Sequence, residues 1–324
     1  MVHVLAAGPL FLDVIQYGLA HAPRPGEEQW VADGQIMAGG VANQAVACAR
    51  LGLDVEVLTN VGADRAGRWV AELLADEDVR IGGTRGGSQS VTVAQVFEGD
   101  RAFTTYGDAA YPTPPANMPA PDFLIASVDY LPRASEAVRR WRAAGCVVVA
   151  DTAWDPTGRW NRADLAALAE ADIAVPNDVE ALAYTRTHCV HDAATQFLQH
   201  VPVVAITRGA HGVLLAERGP TGRRPRLTEL PAVDVRAKDT TGAGDSFTAG
   251  FVRGLAHGAS LAEAAALGQV TAAWTVQHLG GSAAAPTSAE LVAWAKSGRL
   301  AWAGTGSFAA PNLADVVTRL LPAG

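Results

Sequence analysis

A loop of small residues in the second half of the chain carries a carboxylate at the point where a helix begins. The run DTTGAGDSFTAGF covers residues 239–251. Apolar side chains recur there at every fourth position: Phe247, Phe251 and Leu255. This spacing predicts a helix that begins near Asp245. Because Gly242 and Gly244 carry no side chains, the amides around them can converge on an anion at the positive end of the helix dipole, so the loop is suited to bind phosphate.

Asp245 points to chemistry beyond binding. Its negative charge repels phosphate, so a carboxylate at this place is better explained as a base that takes a proton from an attacking hydroxyl. A bare G-x-G-D would more often be an ordinary loop with an N-cap, but twelve consecutive positions of the run resemble the second signature of the PfkB carbohydrate kinases, the ribokinase-like family. The resemblance implies that Asp245 is the catalytic base. It also implies that the amides of Gly242, Ala243, Gly244 and Asp245 form an anion hole for the transferred phosphoryl group.

A second glycine pair opens another helix near the start of the chain. Gly39 and Gly40 allow close approach of the backbone to a ligand, and Asn43 follows in a helix made mostly of small side chains. Alone, this pattern is more often a tightly packed helix start. It also resembles the first PfkB signature, which implies that Gly40 and Asn43 contact sugar hydroxyls, Asn43 with both a donor and an acceptor.

Asp13 is the fourth residue predicted to bind substrate. It follows the first apolar strand, so we expect it at the carboxyl edge of a sheet, where open α/β folds bind their ligands. A single aspartate there is usually an exposed charge or a cap, but an aspartate at this place in the PfkB family commonly binds two sugar hydroxyls. The asparagine usual in that family two residues earlier is Phe11 here, which leaves the sugar open.

Asn177 and Glu180 resemble the N-x-x-E motif of the same family, which acts on magnesium and the phosphates through water. Magnesium keeps most of its waters, so a motif that orients them is chemically reasonable. The pair is equally well explained as an N-cap with a capping box, and both interpretations can hold at once.

Further nucleotide contacts are implied by the resemblance alone. The loop at residues 207–212 follows an apolar run, and similar loops line the nucleotide phosphates and ribose, which indicates Thr207, Gly209 and Gly212. Gly281 lies where family members contact adenine. Together with Asp239 and Thr241, that region sometimes holds a monovalent cation in the family, so the resemblance implies ATP and Mg²⁺ as cofactors and K⁺ as the candidate monovalent cation.

Length and charge limit the class of protein. The chain has 324 residues, of which 49% are hydrophobic and 18% charged, which is typical of a globular protein with a substantial core. A net charge of −8 offers no basic face for nucleic acid, and the pairs Arg139-Arg140 and Arg223-Arg224 are too short to supply one. The N-terminus enters an apolar strand without a basic leader, and no run is long enough to span a membrane, so we expect a soluble, cytoplasmic protein.

The three cysteines indicate no disulfide framework. Cys48, Cys146 and Cys189 are scattered and odd in number, as expected of reduced thiols in a cytosolic enzyme. Cys189 lies between His188 and His191, but three ligands with no second cluster cannot close a tetrahedral zinc site. That segment is predicted to be a loop.

Alternation of short apolar runs with longer amphipathic segments predicts one α/β domain over residues 1–324. The predicted elements include strands at 123–127 and 203–207 and a helix at 163–169. The expected fold is ribokinase-like and doubly wound, a mostly parallel sheet flanked by helices. Two stretches without this alternation, approximately 14–36 and 88–107, predict a small β lid, with a hairpin turn at Glu98-Gly99-Asp100. The resemblance implies that the lid covers the sugar and sometimes forms a homodimer contact.

These patterns together predict ATP-dependent phosphorylation of a primary hydroxyl on a small sugar of the ribose or fructose type. Two alternatives stay open. A nucleoside kinase of the same family would need aromatic faces in the lid, where the available residues are Tyr17, Trp30, Phe97, Phe103 and Tyr106. A sugar-binding regulator that has lost catalysis would not need Asp245 and its glycine loop, both of which are intact.

Overall fold

Apolar runs form the strands of a nine-stranded sheet at the centre of the fold. This computed structural model describes residues 1–97, 100–108, 110–152, 155, 157–220, 224–304 and 310–321. Numbered in chain order, the strands of the large sheet are β1 (His3–Ala7), β4 (Asp54–Val61), β5 (Arg80–Arg85), β8 (Phe123–Ser127), β9 (Val147–Asp151), β10 (Ile173–Ala174), β11 (Val203–Thr207), β12 (Val213–Glu217) and β13 (Arg226–Leu230). They lie in the order β13-β12-β11-β10-β9-β8-β1-β4-β5.

The large sheet is mostly parallel, as the sequence predicts. Every neighbouring pair from β5 across to β11 is parallel, and only β12 and β13 add antiparallel pairs at one edge. Alternate residues of β1 show why its apolar run is continuous. Val4 and Ala6 belong to the buried cluster on one face, and Leu5 and Ala7 to the cluster on the other. Both faces are covered by helices, so every position of the strand must be apolar.

Helices connect the strands and form both outer layers. They are α1 (Val41–Arg50), α2 (Arg65–Ala75), α3 (Ser135–Ala143), α4 (Asp178–Thr185), α5 (Val190–Phe197), α6 (Ala243–Ala256), α7 (Leu261–Thr275), α8 (Ser288–Lys296) and α9 (Leu313–Leu320). Capping residues fix several of the starts: Ser260 and Thr287 form capping boxes at α7 and α8, and the Asp64 side chain accepts from the amide of Gly67 in α2. Within the described ranges, no helix combines the length and apolar composition needed to cross a bilayer.

A second, four-stranded sheet is built from strands in the two stretches for which a lid is predicted, and its role as a lid over the sugar stays a prediction. Its strands are β2 (Leu10–Tyr17), β3 (Asp33–Gly40), β6 (Ser90–Phe97) and β7 (Asp100–Tyr106), in the order β3-β2-β6-β7. The sheet therefore begins four residues before position 14 and continues four residues beyond position 36. This difference matters for the site, because Asp13, Gly39 and Gly40 lie within lid strands instead of in loops beside the large sheet.

Several elements differ from the sequence pattern. Strands β5 and β13 were not predicted, because each lies at an edge of the large sheet and lacks the continuous apolar run of a strand that is buried on both faces. Residues 162–170 form a 3₁₀ helix where the pattern predicts an α-helix. The expected turn at Gly99, the unassigned Trp154 and most of the link at 304–310 lie outside the described residues. The assignment of all 324 residues to one domain stays a prediction.

Candidate active site

Helix α6 begins at the predicted glycine loop. Gly242 is its N-cap, with a left-handed backbone at φ 72°, and a Cβ atom there would lie 3.0 Å from Cα of Gly281. Both facts favour glycine at this position. The next residues, Ala243, Gly244 and Asp245, form the first turn, where amides have no carbonyl acceptor four residues earlier within the helix. The amide of Ala243 closes a turn onto the carbonyl oxygen of Thr240 at 3.3 Å, so Gly244 and Asp245 are the stronger donors for an anion.

The Asp245 carboxyl group lies against the start of helix α1. The side-chain amides of Asn43 and Gln44 lower the pKa of this carboxyl group, and the charge of Glu180 raises it. Burial is the main cause that raises the pKa of Asp245 to about 6; Glu180 adds to this rise and the two amides oppose it. A carboxyl group with this pKa is ionised at neutral pH and is a stronger proton acceptor than an ordinary aspartate.

A pocket of about 500 Å³ opens beside the same glycine loop. Ala243 and Gly244 form part of its wall, and a Cβ atom on Gly244 would meet nothing within 4 Å. Three of the predicted nucleotide contacts, Asn177, Thr207 and Gly209, also line it. The remaining wall includes an apolar portion: Val233, Val235, Phe247, Ala272, Ala273 and Val276. A pocket of this size, with an apolar wall and amide donors at one end, is suited to a flat base joined to phosphates.

Three other predicted nucleotide residues do not line this pocket. Gly212 has φ 80°, and a Cβ atom there would lie 2.0 Å from the carbonyl oxygen of Leu230, so this glycine allows β12 to meet β13. Gly281 faces Gly242 and the side chain of Asn43. Glu180 is 7% exposed and is engaged within the protein. The sequence motifs alone did not distinguish these three residues from the residues that line the pocket.

Asn177 and Glu180 form the capping box that the local pattern predicts. The Asn177 Oδ1 atom accepts from the amide of Glu180 at 2.8 Å, and Glu180 Oε2 accepts from the amide of Asn177 at 3.1 Å. Thr152 Oγ1 also donates to Glu180 Oε2, at 2.7 Å. These oxygens belong to the hard donors that magnesium accepts, and because Oε2 already receives two hydrogen bonds, the pair fits a role that reaches magnesium through its waters.

Asp13 lines a smaller pocket between the four-stranded sheet and Thr241 of the glycine loop. This pocket is about 40 Å³ in volume, and its wall combines Asp13, Thr92 and Thr241 with apolar side chains: Ile15, Tyr17, Ala94, Val96 and Phe103. Burial raises the pKa of Asp13 to about 6, while a hydrogen bond with Thr92 lowers it. The pocket thus combines the Asp13 carboxyl group with an apolar wall, beside the loop that carries Asp245.

The glycine pair of the first signature makes room for protein groups. A Cβ atom on Gly39 would fall 1.8 Å from Oδ2 of Asp13, and one on Gly40 would fall 2.5 Å from the Phe11 ring. Gly39 therefore allows the Asp13 carboxylate to lie against strand β3. Phe11, the departure from the usual asparagine, fills the space beside Gly40. The predicted approach of the Gly39 and Gly40 backbone to a sugar stays a prediction.

Asn43 links the acceptor side of the site to the loop near Gly281. Its Oδ1 atom accepts from the amide of Ser282 at 3.1 Å, and its side-chain amide lowers the pKa of Asp245. Asn43 is partly exposed, in a helix whose neighbouring residues are buried. It contacts the residue predicted to be the base.

Asp239 does not fit the predicted monovalent cation. Its Oδ1 atom accepts from the amide and hydroxyl of Thr241 at 2.9 and 2.6 Å, and its Oδ2 atom accepts from the amide of Gly280 and the hydroxyl of Tyr17 at 3.1 and 3.2 Å. Burial alone would raise the pKa of Asp239, but these hydrogen bonds hold it below its ordinary value. The four donors occupy the lone pairs that a cation would need.

The cluster around Cys189 is engaged with strand β13. Cys189 Sγ lies 3.8 Å from His191 Nδ1, and His191 Nε2 lies 2.9 Å from Glu229 Oε1. Arg208 pairs with the same glutamate at 2.9 Å, so its charge is not free for a phosphate. Over the residues that the structure describes, no group of three or more His, Cys, Asp or Glu side chains is arranged to hold a metal ion.

Two residues of the site were not predicted from the sequence. Gln44 contacts Asp245 from α1, and Asp151, at the carboxyl end of β9, accepts a hydrogen bond from Gln44 at 3.0 Å. A signal for Gln44 was present, because it is a second polar residue beside Asn43 in a helix otherwise rich in alanine and valine. Asp151 is one of several aspartates that follow apolar runs, and only the sheet order places it here.

Known proteins resemble this chain over most of its length. Residues 2–288 match the profile described as pfkB family carbohydrate kinase. The ribokinase of Staphylococcus aureus (strain COL) is 29% identical over 304 residues, covering 87% of this chain and 94% of that protein. The fructokinase of Klebsiella pneumoniae is 32% identical over 289 residues, covering 79% of this chain and 91% of that protein. The crystal structure of a Cryptococcus neoformans ribokinase in complex with ADP is 25% identical and has a TM-score of 0.69, covering 90% of this chain and 98% of that chain.

The match to the family spans both glycine signatures, the lid strands and helix α6. All residues that line the larger pocket except Ala303, and the first turn of α6, lie within the matched region. The chain therefore belongs to the PfkB family of carbohydrate kinases and is an ATP-dependent kinase.

Proposed function

We propose that the protein transfers the γ-phosphoryl group of ATP to a primary hydroxyl of a small sugar of the ribose or fructose type, with Asp245 as the general base. One observation carries this proposal: the Asp245 carboxyl group lies at the first turn of α6, with the nucleotide-sized pocket on one side and Asn43 of the acceptor side against it. The ribokinase and fructokinase relatives support the class of acceptor.

The proposed reaction follows from this placement. ATP binds in the large pocket with its base against the apolar wall, and its terminal phosphate meets the amides of Gly244 and Asp245. The sugar binds against Asp13, and the lid strands exclude water that would otherwise accept the phosphoryl group. Asp245 takes the proton of the primary hydroxyl as the hydroxyl oxygen attacks the γ-phosphorus of ATP. The amides then stabilise the charge on the transferred group.

Magnesium, when bound, neutralises charge on the phosphate oxygens. Asn177 and Glu180 are the residues that would orient its waters, since both lie at the start of α4 and Asn177 lines the nucleotide pocket. Asn43 supplies a side-chain amide beside the base, where it can orient the attacking hydroxyl.

The Asp245→Asn variant tests the base. An amide of the same shape cannot accept the proton, so we expect kcat to fall by roughly 10²- to 10⁴-fold while the protein stays folded. ADP release with ribose and fructose measures this loss, and an unchanged melting temperature shows that the fold is retained. Asp192→Asn, the same change at an exposed position of α5, should leave turnover unchanged. Normal turnover by Asp245→Asn would remove the base from the proposal.

A nucleoside acceptor is the second candidate, and the lid pocket gives one observation for it. The rings of Tyr17 and Phe103 both line the Asp13 pocket, and aromatic rings in such a wall are the groups on which a nucleobase stacks. Trp30 and Tyr106, at 89% and 65% exposed, are not among the residues that line it. Comparing kcat/KM for free ribose and for purine nucleosides decides between the two acceptors.

A catalytically silent regulator would bind a sugar and release no ADP with any acceptor of a broad panel. Intact Asp245 and its glycine loop argue against that outcome. The homodimer through the lid also stays a prediction. Light scattering of the purified protein, compared with a variant that carries a charge at the exposed Ile36 of β3, would test it.

A further inference from the structure

A short segment after helix α8 pairs with one wall of the larger pocket. Val233 and Trp302 form an antiparallel bridge. Two backbone hydrogen bonds flank this bridge: the amide of Asp234 donates to the carbonyl oxygen of Ala301 at 2.9 Å, and the amide of Ala303 donates to that of Ala232 at 2.7 Å. Residues 301–303, the pairing segment, therefore lie beside the pocket wall as neighbouring strands lie in an antiparallel sheet.

The paired residues line the pocket that is expected to hold ATP. Ala232, Val233, Asp234 and Val235, the wall segment, form one part of its lining, and Ala303 of the pairing segment lines it too. The family profile matches residues 2–288, so Ala303 lies beyond the matched region. The pocket is thus completed by a part of the chain to which neither glycine signature points.

Other contacts hold the wall segment at its start. A Cβ atom on Gly212 would lie 2.8 Å from the amide nitrogen of Ala232, so this glycine allows the two backbones to lie close together. Gln269 Nε2 of α7 donates to the carbonyl oxygen of Pro231 at 3.4 Å. The next hydrogen bonds along the wall, at Ala232 and Asp234, come from the pairing segment.

Trp302 anchors the pairing segment to the rest of the fold. Its ring is partly buried against the apolar cluster on one face of the large sheet, and its Nε1 atom donates to the carbonyl oxygen of Pro311 at 3.0 Å. Pro311 lies just before α9, and the end of α9 is held by Arg253, whose buried guanidinium group donates to the carbonyl oxygen of Leu320 at 3.3 and 3.2 Å. Arg253 belongs to α6, so these contacts connect the pairing segment to the helix whose first turn carries the proposed base.

The charge of the wall segment indicates which part of ATP would lie against it. Asp234 lines the pocket, and an ionised carboxylate accepts from hydroxyl and amino groups but repels phosphate. The amides of Gly244 and Asp245 attract phosphate at the start of α6. The ribose and base are therefore expected at the wall segment, where Val233 and Val235 offer apolar surface to the base.

We propose that the pairing segment positions the wall that meets the ribose and base of ATP, with Trp302 as its anchor and Ala303 as a contact of the nucleotide. This inference rests on the proposed placement of ATP in the larger pocket. The hydrogen bonds at Ala232 and Asp234 fix the backbone of the wall before ATP arrives, so binding does not have to order it. Neither Trp302 nor Ala303 is among the residues that line the Asp13 pocket, so binding of the sugar should not depend on them.

The Trp302→Ala variant removes the anchor and leaves the lining of the pocket unchanged. We expect the KM of ATP to rise by roughly 5- to 30-fold, because a wall that is no longer fixed must be ordered by the nucleotide. The KM of the sugar and kcat should change by less than about threefold, a split that a merely structural role would not produce. Trp69→Ala is the control: Trp69 is exposed on α2 and lines neither pocket, so its kinetics should equal those of the unmodified protein.

Amide hydrogen exchange of the unmodified protein provides a test that needs no turnover. The amides of Asp234 and Ala303 are the donors of the two hydrogen bonds that join the segments. We expect ADP with Mg²⁺ to slow their exchange by more than about tenfold, because the bound nucleotide covers the wall and opposes its opening. Ribose or fructose alone should change the exchange by less than about twofold. Exchange that ADP leaves unchanged at both amides would overturn the inference.

A second substitution covers the case in which Trp302→Ala does not fold. Ala303→Pro keeps the side chain small and removes the N–H group that donates to Ala232, so it should raise the KM of ATP in the same direction. If either folded variant has a lower melting temperature and an unchanged KM of ATP, the pairing segment only stabilises the fold and the inference is wrong. An equal rise in the KM values of ATP and sugar would also contradict it.

Failure of this inference is distinct from failure of the proposed function. Ala272→Phe tests the placement of ATP itself, since Ala272 lines the same pocket from α7. A loss of ATP affinity in Ala272→Phe, together with an unchanged KM of ATP in Trp302→Ala and Ala303→Pro, would overturn only the role of the pairing segment. Undiminished ATP affinity in Ala272→Phe would overturn the placement on which this inference rests.

Discussion

Asp13 is a carboxyl group held largely away from water beside the lid. Burial raises its pKa from 3.8 to about 6. The folded state therefore binds the proton more tightly than the unfolded chain does. The stability associated with this group is fully present below about pH 4 and is lost as the pH rises through about 6. Under the proposed function, Asp13 must be ionised to accept sugar hydroxyls. Its ionisation at neutral pH lowers the free energy of unfolding.

Asp13→Asn should make the protein more stable at pH 8 and a poorer enzyme. The expected gain in the free energy of unfolding is about 1 to 2 kcal/mol, because each pKa unit corresponds to about 1.4 kcal/mol and partial solvent access reduces the full effect. Toward pH 4 the gain should shrink. Urea unfolding at several pH values measures it, with Asp33→Asn, an exposed aspartate of β3, as the control. A gain that does not depend on pH would contradict this account.

At the scale of elements, a side-chain hydrogen bond joins the four-stranded sheet to the run at residues 239–251. Tyr17 is the last residue of β2, and its hydroxyl donates to Asp239 at 3.2 Å, at the start of the run that ends in Asp245. Tyr17 is only 9% exposed, although it belongs to a strand of the lid. Under the proposed function, this hydrogen bond would link closure over the acceptor to the loop that binds the phosphate.

Tyr17→Phe should weaken lid closure without removing the aromatic wall. A hydrogen bond to a charged group contributes roughly 1.5 to 3 kcal/mol, so we expect the KM of the sugar to rise at least about fivefold, with the KM of ATP little changed. Initial rates at varied sugar concentration measure the effect. Tyr106→Phe is the control. Tyr106 pairs with Val91 of β6, and the side chains of a strand alternate between its two faces. The β6 residues that line the pocket lie on the face opposite to Val91, so the Tyr106 side chain lies away from the pocket. Equal effects of the two substitutions would argue against the link.

The helix that carries Asp245 is held by close packing against α7. A Cβ atom on Gly254 would lie 2.7 Å from Cα of Ala264, and one on Gly250 would lie 2.4 Å from the hydroxyl oxygen of Thr271. These glycines allow the two helix backbones to approach, and the approach fixes where the first turn of α6 lies relative to the sheet.

Gly254→Ala should therefore destabilise the protein, although alanine favours helix at exposed positions. We expect a loss of roughly 1 to 3 kcal/mol in the free energy of unfolding, because the added methyl group overlaps backbone atoms that cannot move away easily. Denaturant unfolding measures the loss. Gly86→Ala is the control, since a Cβ atom there would meet nothing within 4 Å. A Gly254→Ala protein as stable as the control would show that α7 adjusts.

At the scale of the whole molecule, two pockets of different size lie along the run at residues 239–251. The larger, of about 500 Å³, is lined by Ala243, Gly244 and Phe247 of this run, and the smaller, of about 40 Å³, by Thr241. The glycine loop and the first turn of α6 thus lie between the pocket expected to bind the phosphoryl donor and the pocket expected to bind the acceptor. The position of strands β10 and β11 in the sheet brings Asn177 and Thr207 to the larger pocket.

Ala272→Phe should block the nucleotide without affecting the acceptor. Ala272 of α7 lines the large pocket, and a phenyl ring there would occupy space needed by the base. We expect ATP affinity to fall by more than about tenfold and the stabilisation of the protein by ATP to shrink accordingly. Thermal unfolding with increasing ATP measures this, with Ala289→Phe at an exposed position of α8 as the control. Undiminished stabilisation of Ala272→Phe by ATP would place the nucleotide elsewhere.

The sequence by itself determined the features that depend on neighbouring residues. The run at 239–251 predicted the start of α6 to within two residues, because helix periodicity and glycine loops are local properties. Apolar runs predicted β8 and β11 correctly, since strands buried on both faces are apolar at every position. The capping box of Asn177 and Glu180 was also predictable from the sequence, because its two partners are three residues apart.

Only the tertiary structure decided which distant groups meet at these local features. Gln44 reaches Asp151 across 107 positions of the chain, and Tyr17 reaches Asp239 across 222. The space beside Gly39 belongs to Asp13, because antiparallel pairing places β2 next to β3. Strand order, register and helix packing set such contacts, and they depend on burial summed over the whole fold, which no short stretch of sequence carries.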